Sequence, residues 1–540
     1  MPAPRWDPTA IELAAARVVA LSPIEIAARL DERFRLLTGG RRVAVERHHT
    51  LRATVDWSYS LLTQTEQQVF DRLGTFPATF NAAAAEAVAG ADGIEAWDVL
   101  DALTSLVAKS MLIADQNAEG STRYQMLESL RHYARERLDA TGMADTSRRL
   151  HAQHYAMVAV DIGAAMKGPA EPAAGSRMGV ELDNFRAAVL WGLDSTLDED
   201  GAQAVHTIAE LVGVQGASWN GIATWAEQAL PRAEDADPRY RSVIVSAASN
   251  NAYFRGEFAL ARRLAGDALR LGVVPGCPAP AFTFIPAFMY ARADDLPSLL
   301  TSAVAELDRV GASPWDHAQL RSSAAAIAAL VGNLALAQAE AAQALAICRP
   351  VGAPNNIATA SYAYGLAWWQ SNPDNALATL ESLGTDESLR TFSNETVACR
   401  VGALVAQLRA LNGNIPGAAE AIHKAMTLAN TQGDRAASAV AVARGIRVLA
   451  CAGADEDAAV FAGIITDGLL KGLRPLPPHE LADHDLLLDS LRSGLGSDRY
   501  DAATERGSRM TYDEIVTFVL GAHDPAAATA TRESIADPMG

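Results

Sequence analysis

The fold of this chain is decided by residues 94–138, which read IEAWDVLDALTSLVAKSMLIADQNAEGSTRYQMLESLRHYARERL. Apolar side chains recur at helical spacing over residues 94–110 and again over residues 127–138. Between these stretches, MLIAD and TRYQML have the pattern of short strands, and the polar sequence QNAEGS that joins them contains a glycine typical of a turn. The pattern predicts a helix, a two-stranded hairpin and a second helix in close succession.

Two further helices are predicted immediately upstream, in TLRATVDWSYSLL and QTEQQVFDRLGTF, on either side of Thr63. Thr63 has the residue type of an N-cap, and Glu66 stands three residues later, where a capping-box partner belongs. Trp57 and Tyr59 are expected to be core anchors, because large aromatic side chains on helices usually pack inside. Helices followed by a helix and a two-stranded wing indicate a winged-helix domain.

An internal repeat runs from about residue 150 onward. In three copies a glycine is followed by alanine five and twelve residues later, and three weaker copies keep a small residue at the fifth position. The strong copies are GEFALARRLAGDAL (256–269), GNLALAQAEAAQAL (332–345) and GNIPGAAEAIHKAM (413–426), and the weak copies start at Ala293, Ser371 and Gly453. Successive starts lie 37 to 42 residues apart.

This period is typical of helix-hairpin repeats. The glycine would end a first helix in a left-handed C-cap, and the small residues would let neighbouring helices pack closely. The spacing resembles the tetratricopeptide repeat, whose usual period is about 34 residues. Coincidental matches among alanine-rich helices are the alternative explanation. We predict a mainly α fold, in which a winged-helix domain with a short β-hairpin is followed by a tetratricopeptide-like α-helical repeat superhelix.

Composition excludes several classes of protein. The chain has 540 residues and a formal net charge of −19, which disfavours non-specific binding to nucleic acid because that binding depends on Lys and Arg. None of the lysines follows a glycine, so a phosphate loop of the G-x-x-x-x-G-K-[ST] kind is excluded. The four cysteines stand singly, which indicates reduced thiols in a cytoplasmic protein and neither disulfides nor a zinc site. We find no signal peptide and no membrane-spanning run of apolar residues.

Two motifs invite a functional interpretation. HELADH (479–484) resembles a zinc-protease motif, but its histidines are five residues apart instead of four, so a helix start is the better interpretation. The second is a basic cluster, which forms either ion pairs with neighbouring acidic residues or a contact to phosphate or nucleic acid. Its members are Arg41, Arg42, Arg47, His48, His49 and Arg52. No catalytic set, metal site or cofactor site is recognised, so we expect a non-enzymatic protein.

The motifs over residues 8–140 resemble those of actinobacterial regulators of the signal-transduction ATPase (STAND, NB-ARC-type) class, which include LuxR-type and AfsR-like transcriptional regulators. The resemblance rests on AIELAAARVVALSPIEIAARLDERFRLLTGGRR (10–42), RHHTLRATVDWSYSLLTQTEQQVFDRLGTF (47–76) and RYQMLESLRHYARERL (123–138). It implies, in order, an ATPase module, a small helical domain, a winged helix, a tetratricopeptide-like sensor and often a C-terminal helix-turn-helix.

The chain departs from this family at the positions that contact nucleotide. The family's phosphate loop would lie upstream of residue 1. In the motif that resembles G-L-P-L-A-I-E-L, the proline is kept as Pro8 while Trp6 replaces the glycine. Where many relatives carry Met-His-Asp, this chain has Met126, Leu127 and Glu128. The resemblance therefore implies degenerate nucleotide-contact positions and no bound nucleotide, and nothing near the C-terminus resembles a helix-turn-helix.

The predicted domains follow from these patterns. They are a remnant helical segment from the end of an ATPase module (1–45), a winged-helix domain (46–142), tetratricopeptide-like repeats (143–470), closing helices (471–523) and a disordered tail (524–540). A further possibility is that the reading frame as a whole is a decayed or mis-started remnant.

Two functions fit this organisation. The first is a regulatory or signalling protein that binds a protein partner or a small inducer on its repeats, because helical repeats present an extended concave surface. The alternative is a DNA-binding transcriptional regulator that uses the winged helix. Against it, the predicted recognition helix (94–110) carries Glu95, Asp98 and Asp101 with a single cation, Lys109, and acidic groups repel phosphates.

Overall fold

The structure is a computed structural model, and it describes residues 52, 55–116, 121–215, 221–255, 257–385, 395–471, 476 and 478–522. The predicted segments 1–45 and 524–540 lie outside the described residues. The chain divides into two compact units. The first contains the residues up to Tyr155 together with Val180–Ala188, and the second contains Ala156–Gly179 and the residues from Val189 onward. Among the described helices, none combines the length and apolar content that crossing a bilayer requires.

The first unit contains the predicted winged helix. Its elements are α1 (Gln64–Leu73), α2 (Ala82–Ala89), α3 (Ala96–Ala108), β1 (Ile113–Gln116), β2 (Thr122–Gln125) and α4 (Glu128–Ala140). The two strands pair antiparallel with Ile113 opposite Gln125, and an isolated bridge joins Phe80 to Tyr124. The helix, hairpin and helix predicted over residues 94–138 are therefore confirmed.

The core of this unit forms around α1. Phe70 and Phe80 are fully buried, and the start of α1 is held by the predicted capping box. The Thr63 hydroxyl accepts from the backbone N–H of Glu66 at 3.3 Å, while the Glu66 carboxylate accepts from the backbone N–H of Thr63 at 2.7 Å. Two N–H groups that the first helical turn leaves unpaired are satisfied in this way.

The two aromatic residues before α1 have different surroundings. Tyr59 is buried as predicted, and its hydroxyl donates to the Asp71 carboxylate at 2.9 Å. Trp57 is 65% exposed, so its prediction as a core anchor was wrong. Residues two apart on a helix point about 200° away from each other, and only one of this pair can face the core.

The second unit consists mainly of paired helices. Before the repeats come α5 (Ala144–Ala165) and α6 (Glu171–Asp194), which contribute residues to both units, and then α7 (Asp198–Gln215) and α8 (Ile222–Ala233). The described residues then contain six hairpins: α9 (Pro238–Phe254) with α10 (Phe258–Leu271), α11 (Ile285–Phe288) with α12 (Leu296–Val310), α13 (Pro314–Leu330) with α14 (Leu334–Val351), α15 (Pro354–Trp368) with α16 (Pro373–Thr385), α17 (Glu395–Leu411) with α18 (Ile415–Gln432), and α19 (Arg435–Cys451) with α20 (Asp455–Thr466). The closing helices are α21 (Pro478–Leu495), α22 (Ser497–Ser508) and α23 (Tyr512–Ala522).

The sequence repeat marks the second helix of each hairpin. Each of the six copies begins just before α10, α12, α14, α16, α18 or α20, which confirms the helix-hairpin repeat. Gly332, Gly413 and Gly453 have φ angles of 86°, 78° and 75°, the left-handed conformation predicted for a glycine between two helices. The small residues at the repeated positions are buried at Ala261, Ala268, Ala337, Ala344, Ala376, Ala418, Ala425 and Ala458.

The second hairpin departs from this regularity. Its first half is a 3-10 turn over Pro280–Thr283 followed by the four-residue α11, because prolines in this stretch remove the backbone donors that a longer helix needs. The copy that starts at Ala293 is also out of phase. Ser298, predicted to be the small packing residue, is exposed, and Leu299 packs against the core instead.

Candidate functional site

α3 occupies the position of the recognition helix in a winged helix-turn-helix, and its outer face is acidic and apolar. Glu95 stands at its N-cap and forms a capping box with Asp98. Trp97 is 77% exposed, and Asp98, Asp101 and Thr104 are exposed beside it. Since duplex DNA presents a dense array of phosphates, this face carries the wrong sign of charge for entering a groove.

Lys109, the cation that follows α3, is held by an internal ion pair. Its Nζ lies 2.8 Å from both carboxylate oxygens of Glu66, and the Ser105 hydroxyl donates to the same carboxylate. Burial raises the pKa of Glu66, but hydrogen bonds from Lys109, Ser105 and the Thr63 backbone outweigh burial and lower the pKa to about 2. Glu66 therefore closes the N-terminus of α1 and ties it to the end of α3, while it neutralises Lys109.

Replacing Glu66 with glutamine is expected to destabilise the winged helix by about 2 kcal/mol at pH 7, because charge-assisted hydrogen bonds are lost. The carboxylate has a folded pKa of about 2 and a usual value of 4.5, so its contribution is present above pH 4.5 and lost as the pH falls toward 2. Hydrogen exchange of α1 and α3 amides at pH 7 and at pH 3 measures both effects. Asp101→Asn, on the exposed face of α3, is the matched control, and equal protection in both variants would contradict the prediction.

The resemblance predicts degenerate nucleotide-contact positions at Pro8, Met126, Leu127 and Glu128, and the structure describes the last three. Met126 is buried in the core of the winged helix, and Leu127 is exposed at the N-cap of α4. Glu128 begins that helix, where its carboxylate lies 4.0 Å from the Arg131 guanidinium. Pro8 lies outside the described residues. The side chain of Leu127 is apolar and that of Glu128 is an anion, so neither side chain can donate a hydrogen bond to a phosphate.

Arg52 is the member of the basic cluster that the structure describes. Its guanidinium lies 3.0 Å from the Glu136 carboxylate and 5.9 Å from the centre of the Tyr133 ring. Asp56, one of the neighbouring acids in the sequence, accepts a hydrogen bond from the Tyr133 hydroxyl at 2.8 Å. Arg52 is thus engaged within the first unit. The other members, Arg41, Arg42, Arg47, His48 and His49, lie outside the described residues, and their contact to phosphate or nucleic acid stays a prediction.

HELADH begins α21, which confirms the helix start predicted for it. Glu480 in its first turn is buried, and one carboxylate oxygen accepts hydrogen bonds from the Arg444 guanidinium at 3.1 Å and from the Trp369 indole at 3.0 Å. Arg444 is also buried and donates to the Gln407 side chain at 2.5 Å. The sequence pattern missed this cluster, because its four members come from separate helices or loops and only the fold brings them together.

In the described part of the chain, metal-ligating side chains and thiols do not come together in groups. There, no three His, Cys, Asp or Glu side chains are grouped as a metal site. The four cysteines are unpaired, and burial raises the pKa of the Cys399 thiol to about 12 and that of Cys348 to about 11. Thiols with raised pKa values are poor nucleophiles at neutral pH.

Comparison with known proteins supports the winged helix. The winged helix-turn-helix domain family matches residues 62–139, the interval that contains α1 to β2 and most of α4. The chain is 46% identical to the protein of Mycobacterium tuberculosis named "Putative HTH-type transcriptional regulator Rv0890c" over an alignment of 188 residues. The alignment covers 35% of this chain and 21% of that protein. It is also 40% identical to the uncharacterized protein Rv0894 of the same species over an alignment of 148 residues, which covers 27% of this chain and 37% of that protein.

A solved structure also aligns with much of the chain. It is the STAND protein with a tetratricopeptide repeat sensor PH0952 from Pyrococcus horikoshii, with a TM-score of 0.43 and 14% identity over 95% of this chain and 74% of that one. The chain spans about a fifth of the length of the first mycobacterial relative. It therefore contains a winged helix-turn-helix domain, and it is homologous over part of its length to mycobacterial proteins named as HTH-type transcriptional regulators.

Proposed function

We propose that this chain acts in transcriptional regulation as a non-enzymatic signalling protein of the STAND type, whose winged helix contacts a protein and whose repeats bind a protein partner or a small inducer. The observation that carries the proposal is the outer face of α3. It combines Trp97 with exposed carboxylates, and the adjacent cation, Lys109, is neutralised by Glu66.

The energetics of α3 disfavour DNA and favour a protein partner. Affinity for a duplex comes largely from cations that release counterions from phosphates, and a helix with several exposed carboxylates has the opposite effect. A large exposed tryptophan is the residue type that most often becomes a binding anchor at protein interfaces. An apolar anchor surrounded by carboxylates fits a partner with a basic and apolar surface.

The second candidate function is direct DNA binding through the winged helix. It is favoured by the family match over residues 62–139 and by the names of the mycobacterial relatives. In this candidate, exposed side chains of α3 such as Thr104 would contact bases, and the basic cluster would contact phosphates. The two candidates differ in what the same helix touches.

A DNA titration of the full chain separates them. With a labelled duplex of about 30 base pairs at about 50 mM salt, fluorescence anisotropy is expected to show no saturable binding up to about 10 µM, within the range where even non-specific binders respond. The variant Asp101→Lys is the matched control, because it reverses a charge on the same face without touching the capping box of α3, and it is expected to bind the duplex more tightly than the unaltered chain. Saturable binding by the unaltered chain, weakened at least about tenfold by Thr104→Ala, would establish the second candidate instead.

Contact with a protein is tested at Trp97 itself. A photoreactive side chain at position 97 is expected to cross-link a partner in cells, whereas the same group at position 57 is not. Trp57 serves as the matched control because it is an exposed tryptophan outside α3. Equal cross-linking at both positions would mean that the α3 face has no dedicated protein partner.

A further inference from the structure

A cavity of about 680 Å³ lies within the second unit. Its walls come from α9, α13, α20 and α21, so that residues about two hundred positions apart in the chain meet there. A volume between about 300 and 1,000 Å³ is the size in which proteins bind small organic molecules.

The lining is mostly apolar, and two of its polar side chains are adjacent in the sequence. Eight of the twelve described lining residues are apolar, and Ile327, Val331 and Leu488 are among them. His484 and Asp485 are adjacent on α21. The other two polar lining residues are Tyr253 on α9 and Thr466 on α20, and the Thr466 hydroxyl donates to the Ala462 carbonyl of its own helix. His484 is buried while Asp485 is exposed, so Asp485 lies at the solvent end. This lining therefore matches a molecule that has an apolar body and one polar end.

The charges at the cavity determine which type of polar head group a ligand can carry. Asp485 is the charged side chain among the described lining residues, and burial lowers the pKa of His484, which keeps its ring neutral at pH 7. Arg447, the cation that also acts on His484, donates instead to the main-chain carbonyl of Asp483 at 3.4 Å. A carboxylate beside a neutral imidazole accepts from an ammonium or hydroxyl group and repels an anion.

The wall formed by α21 is held in place independently of any ligand. Glu480, one turn before His484, accepts from Arg444 and Trp369 inside the unit, and Gln370 donates to the Asp483 carboxylate at 3.1 Å. His484 and Leu488 follow Glu480 at intervals of four residues and lie on the same side of the helix. A preformed wall reduces the ordering that a ligand must impose on binding.

We propose that this cavity binds an amphipathic small molecule with an aliphatic or aromatic body and an ammonium or hydroxyl head that hydrogen-bonds to Asp485 and His484. The assignment rests on the proposed function and deepens it, because it names the chemical class of the inducer. The body occupies the space beside Ile327, Val331 and Leu488, and the head points to the solvent end. Fatty-acid-like anions of the same length bind more weakly, because the Asp485 carboxylate repels them.

The test uses the full chain and three probes of equal length that differ only in the head: decylamine, decan-1-ol and decanoate. Each competes with the fluorescent apolar probe N-phenyl-1-naphthylamine. We expect decylamine and decan-1-ol to displace it at concentrations at least about tenfold lower than decanoate, since one tenfold step needs only about 1.4 kcal/mol of differential interaction. Equal displacement by decanoate, or no displacement by any of the three, overturns the proposal.

Variants at the cavity mouth locate the binding. Leu330 and Leu481 line the cavity and are 41% and 45% exposed, so aspartate is tolerated at either position without burying a charge. Leu330→Asp is expected to weaken decan-1-ol binding at least about tenfold, because the bound aliphatic chain would cover the new carboxylate, and Leu481→Asp repeats the test if the first variant fails to fold. Decan-1-ol is the probe for this test because a new carboxylate also attracts the ammonium of decylamine. Leu411→Asp is the matched control, because Leu411 is 43% exposed and does not line the cavity. Equal loss in the control and the mouth variants overturns the location.

Asp485→Asn tests the head group. This variant is expected to keep decan-1-ol binding and to lose the preference for decylamine over decanoate, because the amide is uncharged. An unchanged preference overturns the role of Asp485. Failure of this proposal is distinguishable from failure of the proposed function. The DNA titration and the cross-linking at position 97 report on α3, whereas probe displacement reports on the cavity.

Discussion

Replacing Glu480 with alanine is expected to lower the free energy of unfolding of the second unit by about 3–5 kcal/mol, because the substitution leaves the buried Arg444 guanidinium without its counter-charge. The Trp369 indole loses its acceptor in the same step. The loss should concentrate in α19 and α21, the two helices that the ion pair joins. Hydrogen exchange of their amides measures it locally, which avoids assuming that a long helical array unfolds in one step.

Two comparisons isolate the charge effect. Arg444→Met/Glu480→Leu, which removes both charges, is expected to recover at least half of the loss, since buried ion pairs can often be replaced by apolar residues. Glu420→Ala breaks the exposed pair with Lys424 on α18 and is expected to cost less than about 1 kcal/mol. If Glu480→Ala costs no more than Glu420→Ala, the buried pair does not hold α21 in place.

Replacing Gly463 with alanine is expected to destabilise the contact between α20 and α22 by about 3 kcal/mol, at the upper end of the range for overpacking a core. A Cβ atom at this position would lie 2.0 Å from the carbonyl oxygen of Thr504 on α22, and only backbone movement can relieve that clash. Gly507 on α22 faces the same crossing, where an added Cβ would lie 2.0 Å from the carbonyl oxygen of Val460. The midpoint of thermal unfolding and the exchange of α22 amides measure the effect.

Gly179→Ala is the control for this substitution. Gly179 lies inside α6, and an added Cβ there would meet nothing within 4 Å. This variant is expected to be stabilised by about 0.5–1 kcal/mol, because alanine loses less backbone freedom than glycine in a helix. A gain of the same size at Gly463 would mean that the two helices do not approach as closely as the structure has them.

The parts of the fold that sequence predicts are those encoded by local periodicity. The capping box at Thr63, the hairpin after α3 and the glycines between paired helices each depend on a few neighbouring residues. The six copies of the repeat could be aligned because each contains the same turn between two helices, followed by a small residue in the second helix. The alignment lost its phase only around Ala293, where prolines interrupt the pattern.

The candidate sites depend on contacts that no local pattern contains. Glu480 and Arg444 are 36 residues apart, and the cavity that His484 lines is completed by residues of α9, α13 and α20. The sequence predicted HELADH as a helix start. Only the structure shows that Glu480 is buried in an ion pair with Arg444 and that His484 is buried in the cavity wall. The opposite holds for α3, whose acidic residues and single adjacent cation were visible in sequence. The structure added the partner of that cation, Glu66.

The shortened second hairpin has a consequence for how the array unfolds. α9 and α10 share a small apolar cluster of Val245, Ala248, Leu264 and Ala268, separate from the large one that runs from Val273 to Val519. In a linear array, cooperativity passes from each repeat to the next through their interface. Because the four-residue α11 offers little surface, cooperativity weakens there. The first hairpin, together with α7 and α8 that pack against it, can then open as a unit while the later repeats stay folded.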